Sequence, residues 1–209
     1  MPEVALTGAA EAAVAPSLRG AEIAGLGVAV PETVVTNAPI AARLGIDENW
    51  IVQRTGIDER RIARPEQRLS ELAALAGERA LATAGILASD LDLLLVATTS
   101  NDDLMPGAAP RVAAELGTGA AAIDLNSACT GFVAGLSLAC GQIESGRAAN
   151  ALLIGADLMS RITDPEDRGT AAVFADGAGA VLVAGSERGR TRSGRRRARG
   201  RRRIRCRRS

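Results

Sequence analysis

Residues 121–146, AAIDLNSACTGFVAGLSLACGQIESG, constrain the chain most: a short apolar run, a small-residue turn carrying Cys129, then a long apolar helical pattern. Residues 121–125 are small and apolar apart from Asp124 and stop at the polar pair Asn126 and Ser127, which predicts a short buried strand. After Cys129, the residues Phe132, Val133, Leu136, Ala139, Cys140 and Ile143 recur at helical spacing, while Gly131, Ala134, Gly135, Ser137 and Leu138 leave almost no charged face. A helix apolar nearly all round has to be buried. Cys129 is therefore expected near the start of an interior helix, where unpaired backbone N–H groups and the macrodipole favour a thiolate, a ready nucleophile. Cys140 lies inside the apolar pattern and reads as a small hydrophobe. On position alone, Cys129 reads equally well as inert or reactive.

The rest of the chain supplies elements for a sheet around this stretch. Residues 1–20 are Ala-rich with Pro2, Pro16 and Gly20, show no period of two or 3.6, and read as a flexible leader. Residues 21–30 predict a strand that turns at Pro31-Glu32; its Gly25-Leu26-Gly27 lacks the third glycine and the helix of a dinucleotide fingerprint, and reads as a strand under close packing. Asn37 can cap a helix through residue 44, and Asp47 a second that carries Trp50 and Arg54 four residues apart on one face and breaks at Gly56. That pair suits a stacking and charge platform for a planar, phosphorylated ligand, although the pattern by itself favours a half-buried Trp with an arginine stem over it. Residues 70–84 predict an amphipathic helix closed by Gly85, and residues 91–98 a strand buried on both faces. A helix over 111–116 ending at Gly117, a buried strand over 151–156, a charged loop over 164–170 and a strand pair over 171–184 broken at Asp176-Gly177 complete the order. Alternation at these lengths predicts an α/β domain with crossover connections.

Composition narrows the chemistry. With 209 residues and 47% hydrophobic content there is ample core, and all 25 basic residues are arginine, which we read as the coding bias of a GC-rich genome. The net charge of +1 hides an asymmetry: residues 186–209 hold 13 Arg and one Glu (+12), and residues 1–185 hold 12 Arg and 23 acids (−11). Cys129, Cys140 and Cys206 form no CxxC pair and the chain contains no histidine, so no metal site is expected, and the sparse, odd cysteine count fits a reducing cytoplasm. Glu3 and Glu11 stand where a signal peptide would be basic, and no long apolar run predicts a membrane span. The final segment has no apolar period and is expected to be disordered. Arginine runs invite a nucleic-acid reading, but no aromatic residue sits among these and no fold motif presents them. A frameshift or truncation in GC-rich DNA is the preferred origin of the tail, and a basic tail for nucleic acid or acidic protein on a non-catalytic module the lesser one.

The runs NSACTGF from Asn126, DPEDRGT from Asp164 and DGAGA from Asp176 together resemble β-ketoacyl-acyl carrier protein synthase III of the thiolase superfamily, and the match extends through Arg54-Thr55-Gly56-Ile57 and Glu59-Arg60. The resemblance covers about residues 21–185 and implies the first, N-terminal half of a five-layer αβαβα fold, with a mixed sheet and a buried central helix. Two βαβαβαββ halves build that fold, and the intact family dimerises. The implied domains are a leader over 1–20, a thiolase-like half over 21–185 and a tail over 186–209. Cys129 would be the nucleophile that takes an acyl group from acyl-CoA; malonyl-acyl carrier protein would then decarboxylate and attack the thioester, with no cofactor. Trp50 and Arg54 would lie at the coenzyme A entrance, Arg168 near its phosphates, and Met105 at the dimer interface toward the partner's acyl pocket. Read without the resemblance, Arg168 is a loop arginine paired with Asp164 or Asp167, and Met105 is ordinary loop packing. The histidine and asparagine that steady the enolate belong to the second half, and this chain contains no histidine. A ketosynthase-like acyltransferase of polyketide or ester biosynthesis is the enzymatic alternative.

Overall fold

The computed structural model describes residues 20–186, so the expectations for the leader and for the Arg-rich tail, Cys206 included, lie outside the described residues except at Gly20 and Ser186. In chain order the elements are β1 (Gly20–Ala29), β2 (Thr33–Thr36), α1 (Asn37–Leu44), α2 (Glu48–Thr55), β3 (Glu59–Ile62), α3 (Leu69–Ala84), β4 (Leu93–Ala97), α4 (Ala108–Leu116), β5 (Ala121–Leu125), α5 (Gly131–Glu144), β6 (Asn150–Leu158) and β7 (Asp176–Ser186). Setting aside the β2-to-β3 excursion, the order is βαβαβαββ. The five main strands form one mixed sheet, β1-β7-β6-β4-β5, in which β4 runs parallel to β5 and β6 while β7 is antiparallel to β6 and β1.

Because side chains alternate along a strand, β4, β6 and β7 each feed two cores. Leu94, Val96, Leu152, Ile154, Ala180 and Leu182 pack against α3 and α4, and Leu93, Leu95, Leu153, Val181 and Val183 pack against α5. The predicted strand over 91–98 is thus buried on both faces. The glycines of β1 serve close packing, as expected: a Cβ on Gly25 would fall 2.2 Å from the Ala80 carbonyl oxygen, and one on Gly27 2.0 Å from that of Ala76, so α3 lies directly on β1. The helices α2 and α3 stop at Gly56 and Gly85, both left-handed, at φ 70°.

Several expectations are corrected. The helix after Cys129 is not buried all round among the described residues: Gly131, Gly135, Ala139 and Ile143 form its buried stripe, whereas Val133 is 68% and Leu138 49% exposed. Small residues let that stripe approach the sheet, since a Cβ on Gly135 would meet Leu153 Cδ1 at 2.5 Å, but no described element covers the opposite side. Nor is β5 a buried strand. It lies at the sheet edge with Ile123 49% exposed. Residues 171–184 form no strand pair: Asp176-Gly177 opens the single strand β7, because the Asp176 carboxylate accepts from Ser160 N and Ala63 N and anchors the preceding loop to β3. Asn37 is the first residue of α1 rather than its cap; its side chain donates to the Ile57 carbonyl and accepts from Arg60 Nη1, both at 2.8 Å. Asp47 caps α2 as expected, accepting from Asn49 N at 2.8 Å. α4 begins three residues before the predicted start because Asp124 Oδ1 reaches across from β5 to accept from Ala109 N.

Candidate active site

Parallel strands that leave for opposite faces open a crevice at their carboxyl ends. Here β4 is followed by α4 on one face and β5 by α5 on the other. Cys129 sits at this switch, on a 3-10 turn over Ala128–Thr130 between β5 and α5. The turn is closed by Thr130, whose N–H (3.0 Å) and hydroxyl (2.8 Å) both donate to the Ser127 carbonyl. Ala128 holds φ at 44°, in the left-handed region, the one described non-glycine residue to do so. A side-chain-bearing residue there stores about 1 kcal/mol of strain, and such strain clusters where a chain must present a particular group. The group presented is the Cys129 thiol, which is exposed, while Cys140 is half-buried against the α5 core.

Cys129 opens into a cleft of about 280 Å³ lined by Ala97, Phe132, Gly155 and Asp157 as well as Ala128 and Gly177. Gly155 is small for a reason, since a Cβ on it would fall 3.1 Å from the Phe132 ring. Asp157 ties the cleft floor together. Its Oδ1 accepts from Thr99 N (2.8 Å) and from the hydroxyls of Thr98 (3.0 Å), Thr99 (3.1 Å) and Ser100 (2.8 Å), which fastens the exit of β4 to the end of β6. Ser100 Oγ in turn accepts from Leu158 N at 2.8 Å.

The other expected site residues lie outside this cleft. Trp50 and Arg54 do share a face of α2, with the guanidinium carbon 5.5 Å from the ring centroid, a cation–π distance, and Trp50 stays 39% exposed. Arg168 pairs with neither Asp164 nor Asp167: its Nε donates to the Leu44 carbonyl at 3.0 Å, at the negative end of α1. Asp167 is engaged by its own loop, and the Thr170 hydroxyl, with the Gly169 and Thr170 N–H groups, holds its carboxyl below the usual range. Arg43 ties the same loop to α1 through the Pro165 carbonyl at 3.1 Å, over a small core of Ile40, Leu44, Ile51 and Ala172. Trp50, Arg54 and Arg168 thus belong to one sub-lobe. Met105 is 86% exposed in the loop before α4. That loop is pinned by Asp103, which pairs with Arg68 and with Arg111 (2.6 Å), and by Asp102, which accepts from Leu69 N (2.9 Å) at the start of α3. The Asp103 hydrogen bond raises the Arg68 pKa.

Sequence reasoning passed over Asp157 and the strain at Ala128. A carboxylate at the carboxyl end of a buried strand was the available signal for Asp157; nothing in the residue type marks Ala128. Among the described residues no group of three or more His, Cys, Asp or Glu could hold a metal ion, and no helix is long and apolar enough to cross a membrane.

Comparison with known proteins places this geometry. Residues 123–196, which include Cys129 and Arg168, match the family described as 3-oxoacyl-[acyl-carrier-protein] synthase III. A β-ketoacyl-[acyl-carrier-protein] synthase III of Streptomyces coelicolor is 51% identical over 173 residues, which are 82% of this chain and 51% of that protein. By sequence the chain is similar to the β-ketoacyl-[acyl-carrier-protein] synthase III family. It spans about half the length of the curated relatives it matches. The crystal structure of the synthase III from Pseudomonas aeruginosa superposes with a TM-score of 0.77 at 43% identity, covering 82% of this chain and 54% of that one. A priming β-ketosynthase from the R1128 polyketide pathway superposes at 0.78 with 35% identity, covering 83% and 52%. The α/β architecture is therefore thiolase-like, as the synthase III resemblance implied.

Proposed function

We propose that this chain carries the acyl-accepting part of a β-ketoacyl-[acyl-carrier-protein] synthase III, an acyltransferase that starts fatty acid synthesis. The observation that carries the reading is Cys129, exposed on a strained turn at the mouth of a small cleft, just before the first turn of α5. The first-turn N–H groups of α5 have no partner within the helix, so the backbone offers positive partial charge beside the sulfur. In the transfer, the sulfur attacks the thioester carbonyl of acyl-CoA, the coenzyme A thiolate leaves, and the thiol proton passes to it. Trp50 and Arg54 stack on the adenine side of coenzyme A, Arg168 meets its phosphates, and Met105 faces a second copy of the chain. No cofactor takes part. Malonyl-acyl carrier protein supplies the carbanion in the second step, which the whole enzyme performs in the cytoplasm as a homodimer. That step calls on a histidine, and this chain has none, so it is expected to acylate itself and not to condense.

Incubating the full chain with acetyl-CoA and mapping the modification by peptide mass spectrometry tests this. One acetyl group on Cys129, abolished by Cys129→Ala and slowed about ten-fold or more by Trp50→Ala with Arg54→Ala, is expected. Acetylation spread over Cys140 and Cys206, or none at all, overturns the reading. The likeness to a priming polyketide ketosynthase favours a second reading, a specialised-pathway acyltransferase. Preferential labelling by a longer or branched acyl-CoA would select it.

A further inference from the structure

Arg60 is left over by the mechanism above, and it is the one buried arginine among the described residues, 3% exposed. A guanidinium taken out of water has to place its N–H groups on acceptors, and hydrogen bonds from a charged donor are stronger than neutral ones. Its Nη1 donates to Asn37 Oδ1 at 2.8 Å and its Nη2 to the Ala172 carbonyl. Asn37, itself buried, hands the tie on. Its Nδ2 donates at 2.8 Å to the carbonyl of Ile57, just past the end of α2. Ala172, also buried, follows the stretch that carries Arg168. Four segments therefore meet on one buried polar pair: β3 at Arg60, the start of α1 at Asn37, the exit of α2 at Ile57 and the charged loop at Ala172.

Apolar packing does less at this junction. Ala172 shares a small core with Ile40, Leu44 and Ile51, but a cleft of about 270 Å³ opens between α1 and the loop, with Ile40, Arg43, Arg60, Thr163 and Phe174 in its lining. The far end of α1 is tied as well, because Arg168 Nε donates to the Leu44 carbonyl. Polar bonds at both ends of α1 thus fix where the loop stands relative to α2.

We propose that Arg60 is a positioning residue for coenzyme A: through Asn37 and Ala172 it sets the spacing between the Trp50–Arg54 pair on α2 and Arg168 on the loop, so that one ligand meets both. This deepens, and rests on, the reading of those three residues as the coenzyme A platform. Arg60 acts through them and does not touch the ligand. A ligand held by two groups at once loses affinity when their spacing is free to vary. Cys129 lies in a separate cleft whose lining does not include Arg60, so the bond-making step there is left alone.

Trp50 is the only tryptophan in the chain, so its fluorescence reports coenzyme A binding directly. Titrating the full chain with coenzyme A, and following acetylation of Cys129 by acetyl-CoA over a range of concentrations by peptide mass spectrometry, separates binding from chemistry. Arg60→Met is expected to weaken coenzyme A binding and raise the half-saturating acetyl-CoA concentration, each roughly ten-fold, with the saturated acetylation rate within about two-fold of wild type. Arg60→Lys, which keeps the charge and one bond, should fall between the two. In the Arg60→Met background Arg168→Ala should cost less affinity than it does alone, since the arms no longer act together. Unchanged affinity in Arg60→Met, or a saturated rate that falls as far as the affinity does, overturns the proposal while leaving the platform in place. If coenzyme A neither changes Trp50 fluorescence nor delivers its acetyl group to Cys129 in the wild-type chain, the platform reading falls and the proposal with it. Should Arg60→Met not fold, Asn37→Ser, too short to join Arg60 to Ile57, carries the same expectation and the same refutation.

Discussion

The two faces of the sheet are built from equally apolar residues and end differently. Against α3 and α4, the side chains of Leu94, Val96, Leu152, Ile154 and Leu182 are sealed, and α3 turns Glu71, Glu78 and Arg79 outward to finish the surface. Against α5 the seal holds only beneath the helix, through Ala139 and Ile143, and the helix then offers Val133 and Leu138 to water. An amphipathic helix completes a layer; a helix without a charged face asks for another layer on top of it. The contrast matters for chemistry because Cys129 lies at the open end of the unfinished face.

The largest expected effect that tests this contrast is on stability. Leu152→Ala in the sealed core is expected to lower the unfolding free energy by about 2–5 kcal/mol, and Leu138→Ala on the open face by less than about 0.5 kcal/mol, measured by urea denaturation. Equal losses would mean that α5 is covered in solution. Next comes association. Exposed apolar patches above a few hundred Å² drive self-association, so the wild-type chain is expected to run as an oligomer in size-exclusion light scattering, and Val133→Ser with Leu138→Ser to shift it toward monomer. A sharp wild-type monomer peak would break the comparison.

Smaller effects sharpen it at the switch point between the faces. Asp124→Ala removes the carboxylate that accepts from Ala109 N, and about 1 kcal/mol of stability should go with it, read from the same denaturation curves. Asp167 gives the smallest signal. Its folded pKa is depressed, chiefly by the Thr170 hydroxyl, so its contribution is present above the unfolded value of about 3.9 and is lost as pH falls through the folded value. Thr170→Val should therefore flatten the acid limb of the stability profile by slightly lowering stability at neutral pH, while leaving it unchanged at pH values below the folded pKa.

Elements whose pattern and burial agree were legible before any coordinates. The span over 70–84 reads as a helix because one stripe is apolar, and 91–98 reads as a strand because an unbroken aliphatic run suits a sheet covered on both sides; both stand where expected. The α5 helix stands where its apolar pattern predicts a helix, but it is not enclosed, since among the described residues no element packs against Val133 and Leu138. The β2–β3 pair escaped because TVVT and ERRI are short, and half of the second is arginine. Its Arg60 is nonetheless 3% exposed, and burial lowers its pKa; a guanidinium held by Asn37 and the Ala172 carbonyl leaves no trace in hydropathy. At the site, the turn between an apolar strand and an apolar helix makes Cys129 a candidate, and only the resemblance carried by NSACTGF, DPEDRGT and DGAGA makes it the expected nucleophile. The clamp at Asp157 was not legible, because its four donors come from residues 98–100, nearly sixty positions upstream.

The pairing of β1 with β7 sets a timetable for synthesis. Gly20 and Ser186 are Cα partners, and β7 is wedged between β1 and β6, so the earliest strand finds its neighbour only when the latest one emerges from the ribosome. Until β7 has been made, β1 can lean on α3 but cannot join the sheet, because β7 stands between it and β6.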